Sequence, residues 1–110
     1  MNIQHKELAA GRWREMTLME QLANIGSEVD RAFRWREKKN TEYCLKAVDR
    51  ALELFDLTLD CVKEPWRQRE LRLARGEIAD FFYGTNEFNA TEASIRRYYL
   101  QFAFAARRNK

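Results

Sequence analysis

The chain has 110 residues, 45% of them hydrophobic and 34% charged, with 20 Lys plus Arg against 17 Asp plus Glu and a formal net charge of +3. That length makes one domain rather than two. Seven Phe, four Tyr and three Trp in so short a chain exclude a disordered composition. One Pro, four Gly and few β-branched residues leave little to break a helix, so an all-α domain is expected over 1–110. No apolar run approaches the length of a membrane span.

Residues 1–16 are mixed. Met1 to Ala10 contains His5, Lys6 and Glu7 and no apolar stretch, so a secretory signal is not expected. Trp13 is placed to pack over the end of a helical bundle. Thr17 with Glu20 three residues on has the spacing of a capping box, which starts a helix over about 18–38. Leu18, Leu22, Ile25, Val29, Phe33 and Arg36 form its stripe at the helical period. Gly26 beside Ile25 costs about 1 kcal/mol against Ala, so a neighbouring helix is expected to approach closely there.

Asn40 or Thr41 caps a second helix, about 42–62. Cys44, Ala47, Val48, Ala51, Leu52, Phe55 and Leu59 face inward, and Leu54, Leu57 and Cys61 widen that face enough for two neighbours. Pro65 opens a third helix, about 65–83, carrying Trp66, Leu71, Ala74, Ile78, Phe81 and Phe82 inward. Gly84 is expected to end it in the left-handed region. After an Asn-rich loop, Asn89 or Thr91 caps a fourth helix, about 92–108, with Ile95, Tyr98, Tyr99, Phe102, Ala103 and Ala106 inward. Four amphipathic helices with short connections predict an antiparallel up-down-up-down four-helix bundle.

Cys44 and Cys61 sit on one helix with ~25 Å of axial rise between them, beyond disulfide reach. They read as reduced packing residues of a cytoplasmic protein. Glycine-rich phosphate loops, G-x-S-x-G and H-E-x-x-H are all missing, and a lone His5 supplies no general base inside the bundle. No catalytic residue, metal or cofactor is therefore expected. The one enzymatic alternative is a Mg²⁺-dependent all-α nucleotide pyrophosphohydrolase. It would use the i,i+3 pairs Glu53 with Asp56 and Glu77 with Asp80, because hard cations take oxygen ligands. The competing reading makes them solvated partners of arginines, and helix 1 lacks the further E-x-x-E pair such enzymes show.

The charge distribution says more than the sum. Residues 1–40 carry +2, residues 41–62 carry −3 and residues 63–110 carry +4. The basic part is written in Arg, 14 against 6 Lys, and a guanidinium fork suits phosphate. Arg31, Arg34, Arg69, Arg72, Arg75, Arg107 and Arg108 are the candidate nucleic-acid-binding residues, RNA being the expected ligand. Arg96 and Arg97 add to the array, and part of the Arg107–Lys110 end is ordinary chemistry for a helix C-terminus. The alternative is a structural protein-interaction module in which these charges pair within or between copies. Phe102 and Phe104 diverge on the helix, as do Tyr98 and Tyr99, so some rings leave the core and favour a self-association surface.

From Leu18 to Arg108, and in the stretches Arg50 to Leu59 and Tyr98 to Arg107, the chain resembles small bacterial four-helix-bundle proteins. These include proteins encoded in intervening sequences of ribosomal RNA genes and accessory proteins of diversity-generating retroelements. The resemblance implies a non-enzymatic, ring-forming homo-oligomer that associates with RNA or with a nucleic-acid-binding protein, a reverse transcriptase among them. It carries over no functional residue, and the acidic second helix departs from a uniformly basic surface.

Overall fold

A computed structural model describes residues 11–108, and all regular secondary structure among them is helical. A short helical stretch over 11–15 leads into α1 (Leu18–Glu37), α2 (Thr41–Cys61), α3 (Pro65–Tyr83) and α4 (Glu92–Arg108). Each end falls within a residue of its expected place. Met1 to Ala10, with His5, and Lys110 lie outside the described residues. Among the described residues no helix is long and apolar enough to cross a membrane.

Local chemistry explains the boundaries. Thr17 accepts the Glu20 N–H at 3.1 Å while the Glu20 carboxylate accepts the Thr17 N–H at 2.9 Å, which closes the capping box. Lys39 turns the chain at φ 60°, and the Asn40 side chain accepts the Tyr43 N–H at 3.0 Å to start α2. Pro65 occupies the first turn of α3, where its missing N–H costs nothing.

One expected cap differs, and one of two candidate caps is selected. Gly84 is not left-handed: its φ is −102° and its backbone is extended. What excludes a side chain there is contact, because a Cβ at 84 would lie 2.8 Å from the Asp80 carboxylate and 3.0 Å from the Asp80 carbonyl. The left-handed positions are Asn86 and Asn89, at φ 57° and 54°. Asn86 bonds both the N–H and the carbonyl of Ala90, which closes the loop on itself. Thr91, not Asn89, caps α4: its hydroxyl accepts the Ser94 N–H at 3.0 Å and the Ser94 hydroxyl accepts the Thr91 N–H at 2.9 Å.

α1 packs on α2 and on α4, and α2 packs also on α3. Phe33, Phe55, Ile25, Ile78, Ile95, Val29 and Val48 are fully buried at the centre. Burial of each such side chain stabilises by about 1.5–3 kcal/mol. Gly26 lets α4 come close, since a Cβ there would sit 2.9 Å from the Tyr99 Cβ. Trp13 does close one end of the core, 5% exposed, and its indole N–H donates to the fully buried Thr58 hydroxyl at 2.8 Å. The buried Gln21 amide donates to the Trp13 carbonyl at 2.7 Å.

α3 departs most from expectation. Of its residues only Leu71 and Ile78 are buried, and Trp66 is 60% exposed rather than inward. The reason is that α3 packs chiefly on α2, so the face shared by Trp66 and Leu73, seven residues apart, meets no neighbour. The Arg67 guanidinium lies 4.8 Å from the Trp66 ring centre instead.

Candidate nucleic-acid interface

Two carboxylates on α1 organise the basic residues around it. Glu28 is nearly buried, at 10% side-chain exposure, and lies 2.8 Å from Arg31 and 3.5 Å from Arg50 of α2. A desolvated carboxylate needs such partners, and in return it holds both guanidinium groups at the surface. Asp30, one residue past the inward-facing Val29, lies 2.8 Å from Arg34 and 2.7 Å from Arg96 of α4. Glu92 adds a third contact to Arg96 at 3.1 Å, and the Arg96 guanidinium lies 5.2 Å from the Phe33 ring centre. Arg97, exposed beside it, has no ion-pair partner among the described residues.

The result is a groove of about 580 Å³ between α1 and α4. Arg31, Arg34, Arg96 and Arg97, with the Asp30 carboxylate among them, supply its charge, and Ala23, Gly26, Leu100 and Ala103 its apolar wall. On the other side of α1 a smaller recess of about 130 Å³ is lined by Arg31, Trp35, Tyr43, Lys46, Ala47 and Arg50. There the Trp35 and Tyr43 rings meet edge-on at 4.9 Å, with Lys38 5.2 Å from the former and Lys46 5.3 Å from the latter. Tyr43 is 45% exposed. Arg31 lines both recesses, so a basic surface, tied together by Glu28 and Asp30, runs from α4 across α1 to α2.

The seven residues singled out in sequence divide accordingly. Arg31 and Arg34 lie in the groove. Arg69 and Arg72 are exposed on α3, but Arg75 forks onto Asp56 of α2 at 2.9 and 3.2 Å. The three therefore do not make one free stripe. Arg107 and Arg108 are exposed in the last turn of α4. Arg50, Lys46, Trp35 and Tyr43 were not singled out for binding, because they come from two helices that only the fold brings together. The one local signal was the pair of i,i+4 couples, Asp30 with Arg34 and Glu92 with Arg96.

Two of the four carboxylates weighed as metal ligands, Asp56 and Asp80, have other work. Asp56 is taken by Arg75, and Asp80 accepts the Phe88 N–H at 3.1 Å while its carbonyl accepts the Gly84 N–H. Among the described residues no group of three or more His, Cys, Asp or Glu side chains is placed to hold a metal ion. Cys44 and Cys61 are free thiols, and burial raises the pKa of Cys44 against the opposing pull of Arg36.

No family model matches the chain, and neither does any curated protein or solved structure.

Proposed function

We propose that this protein is a non-enzymatic, self-associating accessory protein that binds nucleic acid, RNA in the first instance, through the arginine-rich face centred on α1. The observation that carries this reading is Arg31, which lines both recesses and joins five guanidinium groups, one Lys and three aromatic rings into one surface. Phosphate calls for such forks, and unstacked bases call for exposed rings or guanidinium planes. Arg69, Arg72, Arg107 and Arg108 would extend the field that draws a polyanion in, whereas Arg75 is neutralised by Asp56.

The four helices are best read as an antiparallel up-down-up-down bundle, given the short turns at 38–40 and 62–64. Two unpaired thiols favour a cytoplasmic setting. Self-association draws support from the exposed apolar side chains Trp66 and Leu73 on α3 and Leu100 and Phe104 on α4. The same residues favour the second reading, a protein-interaction module without nucleic acid. A gel-shift panel of single- and double-stranded RNA and DNA at low salt separates the two. Binding supports the first reading, and no shift with any probe leaves only the second.

A further inference from the structure

We propose that the groove between α1 and α4 holds one unpaired nucleotide of an RNA strand. Its base lies against the small-residue wall and its phosphate sits between Arg34 and Arg97. This rests on the nucleic-acid reading above and makes it specific.

The groove, at about 580 Å³, lies within the ~300–1,000 Å³ common for small-ligand sites. Its wall is apolar and low because Ala23, Gly26 and Ala103 carry almost no side chain. At Gly26 the missing side chain admits Tyr99, whose Cβ lies 2.9 Å from where a Cβ would sit, so Tyr99 forms the floor there and the open part of the wall is that of Ala23 and Ala103. A flat heterocycle buries against such a wall without displacing anything.

The rim arginines are not equivalent. Arg31 is engaged with Glu28, and Arg96 with Asp30 and Glu92. Arg34 only shares Asp30 with Arg96 and keeps 65% of its side chain exposed. Arg97 has no ion-pair partner among the described residues. These two have guanidinium capacity to spare, and they stand on opposite sides of the groove, one on α1 and one on α4. A phosphate between them satisfies both forks. A base in a duplex stays stacked between its neighbours and cannot reach the wall, so a duplex engages the arginines alone. The protein should therefore favour unpaired over paired RNA.

Fluorescence anisotropy at low salt tests this, with one labelled RNA sequence offered as a single strand and as a hairpin stem. The single strand should bind about tenfold tighter. Filling the wall with Ala103→Leu should remove that preference, and Arg97→Ala should weaken both. Circular dichroism checks folding, and Ala23→Leu fills the opposite side if the first variant does not fold. Equal affinity for strand and stem, or a preference that survives both fillings, overturns the pocket but not the nucleic-acid reading. Binding of neither probe removes both. Free AMP binding as tightly as the strand would assign the groove to a mononucleotide and overturn the strand.

Discussion

Trp13 shows how one residue can join the short helical stretch ahead of α1 to the core. Its indole donates to Thr58, 45 positions away, and its carbonyl receives the Gln21 amide. Trp13→Phe would leave the buried Thr58 hydroxyl without its donor, a cost of about 1–3 kcal/mol. Thr58→Val removes that orphan, so in urea melts the double variant should lose less stability than the two single variants added together. Strict additivity would mean that the hydrogen bond contributes nothing. The tyrosines give a second expectation. Tyr83 is pushed up to about 12 by its hydrogen bond to Asp49, and Tyr98 to about 12 by burial first and Glu70 second. Tyr99 is raised too, chiefly by burial. Each phenol holds its proton more tightly folded than unfolded, where its pKa is about 10. For Tyr83 and Tyr98 the stabilising contribution is thus complete below pH about 10 and is lost as pH rises through about 12, while Tyr99 ionises later still. An absorbance titration of phenolate should show three late-ionising groups, together with loss of helix over that window.

The elements were largely legible in sequence because their caps are local. The Thr17–Glu20 box, Asn40 and Pro65 each act within one turn, and all four helices lie where the spacing placed them. What failed depended on neighbours. Gly84 has the residue type of a left-handed cap but is required by the nearness of Asp80. Trp66 has the hydrophobicity of a core residue but sits on a face of α3 that no helix covers. The Gly26 expectation held for the reason given, close approach by another helix. It follows that Gly26→Ala should be destabilising despite a helix-propensity gain of about 1 kcal/mol, since overpacking costs about 1–3 kcal/mol. A thermal melt of that variant should show a lower midpoint, and an unchanged or higher one would place slack between α1 and α4.

At the scale of the whole molecule, the near-neutral sum of +3 conceals a division that the fold makes spatial. The excess of basic charge was visible in sequence, and so were Arg31 and Arg34. That Arg96 and Arg97 join them across a groove, and that Arg75 is spent on Asp56, depended on which helices pack together. The account rests on the α1-centred face binding nucleic acid through its charges. The most direct measurement is the salt dependence of single-stranded RNA binding for the wild type and for Arg34→Ala/Arg97→Ala/Lys46→Ala, with circular dichroism confirming the fold. Log affinity should fall linearly with log salt, at about 0.7 per phosphate contacted, and the triple variant should bind more weakly with a visibly shallower slope. Absence of binding at low salt, or a variant that keeps the wild-type affinity and slope, would contradict it.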